Sequence, residues 1–137
     1  MLENEENKEL SASRPLRHTF TRDERLKSKK LIQELFDKGS SFYLSPLKVL
    51  YLPYTPESGK QNQVLVTVPK RLFKKAVTRN KIRRRIKEVY RLHKYLLKAE
   101  NLKSPLLIAY IYIGKEVLDY KLIEKQLIKS LSRLKST

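Results

Sequence analysis

The chain has no cysteine, no tryptophan, one methionine and only three glycines in 137 residues. Without cysteine, disulfides and thiolate metal sites are excluded. Gly39, Gly59 and Gly114 stand apart, and none sits in a loop that cradles phosphate through successive backbone N–H groups. Long apolar runs are missing too. The longest, Pro105 to Ile113, falls well short of the roughly 20 residues that cross a bilayer. The opening MLENEENKEL is acidic and polar, unlike a secretory signal, so a cytoplasmic protein is expected. Acids are scarce: 14 Asp and Glu face 31 Lys and Arg, a formal net charge of +17. Such a chain repels itself, and a polyanionic partner relieves the repulsion.

The cations concentrate between Lys70 and Arg91, KRLFKKAVTRNKIRRRIKEVYR, with eleven Lys or Arg and a single acid, Glu88. Read as a helix from Thr78, the stretch has two faces. Ile82, Ile86, Val89, Tyr90, His93 and Leu97 form one apolar stripe at the helical period. Arg83, Arg84, Lys87, Arg91 and Lys94 fall on the solvent side, with Arg79 and Arg85 nearer the stripe's edges. A solvated helix face interleaves signs, because like charges at i,i+4 destabilise it. Arg79, Arg83, Lys87 and Arg91 instead repeat one sign every fourth residue. That pattern points to nucleic acid. A basic amphipathic helix can also lie on anionic lipid. This stripe is mostly β-branched, however, and lacks the Trp/Phe/Leu face of such anchors.

Along the chain, residues 1–13 read as a disordered acidic tail and 14–137 as one domain. Ser28 is a plausible N-cap for a helix over Lys29 to Lys38, stopped by Gly39. Ser41 to Tyr54 reads as extended, interrupted at Pro46. Pro53 to Gln61 is a turn, and Val64, Val66 and Val68 alternate as the returning strand of a hairpin. Arg71 to Val77 is a basic loop. Thr78 is the best N-cap for the long helix, which runs to about Lys98. PLLIAYIYI is apolar on both faces, as in a central covered strand. Asp119 caps a last helix whose Tyr120, Ile123, Leu127, Leu131 and Leu134 face the core. The order helix, strands, helix, strand, helix is an α+β layer.

Catalytic chemistry is hard to assemble from these residues. His18 and His93 are far apart, and His93 on the stripe reads as a satisfied core histidine. The acids outside the tail form no spaced carboxylate set for a two-metal nuclease.

The run VTVPKRLFKKAVTRNKIRRRIKEVYR resembles the signature of the bacterial ribonuclease P protein subunit. The family's Arg-Asn-Arg followed by Ile-basic-Arg falls at Arg79, Asn80, Lys81, Ile82, Arg83 and Arg84. FTRDERLKSKKLIQELFDKG is similar to the family's basic N-terminal stretch and first helix, and DYKLIEKQLIKSLSRL to its last helix. The resemblance spans about residues 17 to 135. Lys81 stands in place of the second Arg, keeping the charge without the planar fork. Ile32 stands where an aromatic is frequent, Leu65 where Gly is common, and Arg85 where an apolar residue is common.

The resemblance implies a single-domain α/β sandwich of order α-β-β-β-α-β-α, ribosomal protein S5 domain 2-like, with a left-handed β-α-β crossover. It also implies a protein without catalytic or metal-ligating residues. An RNA subunit cuts precursor tRNA at the mature 5′ end using Mg²⁺, which the holoenzyme requires. Arg71, Lys74, Lys75, Arg79, Asn80, Lys81, Arg83, Arg84, Lys87 and Arg91 would bind that RNA. Phe36, Tyr51, Lys48 and Lys70, with Phe20 and Tyr43, would bind the single-stranded 5′ leader in a cleft between a helix and the sheet. The remaining readings are a stand-alone RNA- or ribosome-binding module and an autonomous metal-dependent nuclease.

Overall fold

A computed structural model of the chain describes residues 20, 24–55, 61–97 and 104–136. The expected acidic tail lies outside the described residues. The first helix, α1 (Lys29–Lys38), is capped by the Ser28 hydroxyl, which accepts from the Leu31 N–H. Gly39 ends it with φ of −70°, so a left-handed residue is not what the stop requires. A Cβ there would collide with the Leu35 carbonyl oxygen, and close approach is what favours glycine. β1 (Ser40–Leu44) turns at a cis Ser45–Pro46 bond into β2 (Leu47–Pro53). β3 (Gln63–Thr67) leads through a turn at Pro69 to α2 (Ala76–His93), which tightens into a 3₁₀ turn over Lys94–Leu97. β4 (Leu106–Tyr112) and α3 (Tyr120–Lys135) complete the order α-β-β-β-α-β-α, an α+β fold.

The sheet order is β1-β2-β4-β3. β4 is antiparallel to β2 and parallel to β3, with α2 making the β-α-β connection. The expected hairpin between β2 and β3 is therefore incorrect, because β4 lies between them. Alternation and turn residues mark both strands but cannot name their neighbours. Every β4 side chain except Ile111 is buried, so the strand must find backbone partners on both edges. The true hairpin is β1–β2, pairing Phe42 with Val49 and Tyr43 with Lys48.

The sheet's two faces bury different sets. Val49, Val64, Val66, Ile108, Tyr110 and Tyr112 pack against α2 and α3. Leu50, Leu107 and Ala109 pack against Leu35 of α1 and Leu26. On the first face the Tyr110 hydroxyl sits 2.9 Å from Ser130 Oγ, which donates to the Leu127 carbonyl at 2.5 Å. The one buried polar side chain of α3 is thus satisfied, and burial raises the Tyr110 pKa.

Helix starts divide by chemistry. Asp119 caps α3 as expected, its carboxylate accepting from the Leu122 N–H at 3.0 Å. Asp119→Ala should cost roughly 0.5–2 kcal/mol in chemical denaturation, with the fold retained. Thr78 does not cap α2. The helix begins two residues earlier, at Ala76, with Lys75 at the N-cap and no side-chain cap bond. The Arg79 guanidinium donates to the Phe73 and Lys74 carbonyls at 2.9 and 2.8 Å. These charge-assisted bonds tie the loop to the first turn and outweigh a threonine cap worth about 1 kcal/mol. His93 is also not a core residue. Its ring is partly exposed and its Nε2 meets Glu124 of α3 at 3.0 Å. Among the described residues no helix is long and apolar enough to cross a membrane.

Candidate nucleic-acid interface

Ile82, Ile86, Val89 and Tyr90 anchor α2 to the core. On its other side Asn80, Lys81, Arg84, Lys87 and Glu88 are exposed. Six cationic side chains, Arg25, Lys81, Arg84, Arg85, Lys87 and Arg91, line one surface trench with Phe20 and Tyr120. Glu88 is the trench's one acid, and it is already engaged. Arg91 donates to it from two nitrogens at 2.7 and 2.8 Å, and this bond holds the Glu88 carboxyl below its usual range. Desolvation, then the nearby Arg25 and Arg83 charges, lowers the Lys87 ammonium from the ordinary lysine value. Cations are thus crowded against one another, which an anionic ligand relieves.

Other predicted cations have partners within the protein. Arg79 is tied to the loop carbonyls, and Arg83 donates to the Asn80 side-chain oxygen. Lys94, expected on the solvent side, is mostly buried and meets Glu24 at 2.5 Å. The N-terminal segment brings Glu24 there by pairing Arg25 with Val64 alongside β3. Arg71, Lys74 and Lys75 are exposed on the loop before α2.

The face under α1 carries a second candidate surface. α1 covers Leu50, Leu107 and Ala109. The next row across the sheet, Tyr43, Lys48, Ile111 and Thr67, remains partly or fully open. Tyr43 is 60% exposed, and the Lys48 ammonium lies 5.5 Å from its ring centroid. Phe36, on α1 itself, is 48% exposed. Lys70 is exposed three residues beyond Thr67. An aromatic ring beside a cation suits a stacked base and its phosphate.

Tyr51 does not join this row. It pairs with Ile108, so it points to the opposite face, and it packs against Phe42 at 5.8 Å. The strand period of two separates it from Lys48 and Tyr43. Phe20 also lies elsewhere, edge-on to Tyr90 at 5.7 Å and under the Arg25 guanidinium. Arg25 and Tyr120 were not among the predicted site residues, and Tyr120, expected to face the core, is only partly buried against it and also lines the trench. Both arrive from distant segments, and a basic stretch around Arg25 or a helical period at Tyr120 does not show that they meet α2. Among the described residues no three His, Cys, Asp or Glu side chains gather as a metal site.

The family model described as Ribonuclease P matches residues 20–135. This chain belongs to the ribonuclease P protein family. A ribonuclease P protein component from Porphyromonas gingivalis is 31% identical over 122 residues, covering 88% of this chain and 89% of that protein. The one from Petrotoga mobilis is 30% identical over 125 residues, covering 86% and 97%. The fold is that of the solved RNase P protein from Thermotoga maritima, with a TM-score of 0.65, 23% identity and coverage of 80% and 96%. The Staphylococcus aureus RNase P protein gives 0.64, 22%, and 81% and 94%. Arg85, where the resemblance leads one to expect an apolar residue, has a structural role in the fold. Its guanidinium donates to the Leu118 carbonyl at 2.6 Å, joining α2 to the segment before α3. Ile32 and Leu65 pack at the margin of the cluster under α1.

Proposed function

We propose that this chain is the protein subunit of a ribonuclease P ribonucleoprotein. The α2 trench binds the phosphate backbone of the RNA subunit, with Arg71, Lys74 and Lys75 extending it along the preceding loop. The open row on the α1 face binds the single-stranded 5′ leader of precursor tRNA. The observation that carries this reading is the trench along α2, where five cations of the helix and Arg25 gather around a single acid that is already paired. The Mg²⁺ that the reaction uses belongs to the RNA subunit, and no step of the chemistry falls to these side chains. The protein neutralises and positions RNA in the cytoplasm, and endonucleolytic release of the leader is the RNA's work.

Reconstitution tests this. The purified chain alone, with Mg²⁺ and precursor tRNA, should give no cleavage. Adding a bacterial ribonuclease P RNA should give product with the mature 5′ end, faster or at lower Mg²⁺ than the RNA alone. Cleavage by the protein alone would make it an autonomous nuclease. RNA binding with no effect on cleavage would make it a stand-alone binding module.

A further inference from the structure

α3 carries a second row of cations. Lys121, Lys125, Lys129 and Arg133 recur at every fourth position, and all four are exposed. The row covers roughly 18 Å of helix at 1.5 Å per residue, drifting slowly around the axis. Like charges at this spacing oppose helix formation, and a solvated face relieves them with interleaved acids. α3 has one acid, Glu124, and it is turned towards His93 of α2. Among the described residues, the Lys121, Lys125 and Lys129 side chains have neither ion pair nor hydrogen bond. The Arg133 guanidinium lies over the Phe42 ring, 4.4 Å from its centroid, which holds the far end of the row against β1.

The packing indicates which polyanion this row meets. α3 lies beside α2 on the first face of the sheet, and Tyr120, adjacent to Lys121, lines the α2 trench. The candidate leader row lies on the opposite face. We propose that the α3 cations form a second docking surface for the phosphate backbone of the RNA subunit, running on from the α2 trench towards β1. This rests on the reading that the trench binds that RNA. Lysines act there as point charges on phosphates and carry no base specificity.

The test is the triple variant K121Q/K125Q/K129Q, which removes three charges with residues that favour helix. Affinity for a bacterial ribonuclease P RNA is measured over a salt series. The slope of log affinity against log salt should be shallower than wild type by about 2 to 3, at roughly 0.7–0.9 per phosphate contact. The preference for precursor over mature tRNA should not change. The charge-conserving K121R/K125R/K129R should keep the wild-type slope, and circular dichroism should show both variants folded. If the glutamine variant does not fold, single substitutions should each lower the slope by about 0.7–0.9. An unchanged slope in a folded variant would make the row a solvated face and overturn the proposal. Loss of precursor preference would reassign the row to tRNA and overturn it equally. A flat slope in the wild type would instead sink the trench reading on which the proposal depends.

Discussion

Reversing Arg84 and Lys87 to glutamate weakens binding to a ribonuclease P RNA by about 30- to 1,000-fold. Each reversal removes an attraction to phosphate and adds a repulsion, together roughly 1–2 kcal/mol per site. The pair is chosen because both side chains are exposed in the trench and neither makes a hydrogen bond or ion pair among the described residues. Folding should therefore survive, with a thermal midpoint near that of the wild type. Arg79 and Arg85 would be poorer probes. Their guanidiniums hold backbone carbonyls of the loop and of the segment before α3. Removing them mixes lost structure with lost binding. Filter binding or fluorescence titration at one fixed salt concentration measures the effect. A loss under threefold would show that the crest of α2 does not touch the RNA.

Tyr43→Ala lowers affinity for precursor tRNA relative to mature tRNA by about 5- to 150-fold. That range follows from roughly 1–3 kcal/mol for one base stacked on an aromatic ring. Tyr43 stands on the open row, with the Lys48 ammonium beside it to meet the leader's phosphate. Phe36→Ala should act in the same direction. Tyr51→Ala should not, because its ring packs with Phe42 on the other face. Its cost should appear as lost stability while leader discrimination is kept. The measurement is paired titration of the reconstituted holoenzyme with both tRNA forms. Equal losses for precursor and mature tRNA would remove the leader from this face, and an effect of Tyr51 matching that of Tyr43 would contradict the strand register.

Much of this architecture is legible in the sequence. Helical spacing of Ile82, Ile86, Val89 and Tyr90 gave both the anchor of α2 and, by subtraction, its cationic crest. Ser28 and Asp119 were readable as caps because a short side chain needs only its own next turn to act. The covered strand at Leu106–Tyr112 was readable because a run apolar on both faces has few other uses. The failures have a common physical origin. Pairing partners, as in the misplaced β2–β3 hairpin, are set by which backbone edge is left unpaired after collapse. Thr78 lost its cap role to bonds from Arg79 that depend on where the loop folds. The resemblance groups Tyr51 with Phe36 but carries no register, and the pairing with Ile108 puts Tyr51 on the other face of the sheet. Arg25 and Glu24 reach α2 across some sixty to seventy positions of sequence, as in the Lys94–Glu24 pair, and no local periodicity announces such a meeting.

A salt titration of the intact chain against a bacterial ribonuclease P RNA tests the whole account most directly. The six trench cations on phosphates alone should contribute about −4 to −5 to the slope of log affinity against log salt, and the loop and α3 cations should make it steeper still. A slope near zero would mean that the cations of α2 meet only water, and the assignment of this helix to RNA would be contradicted.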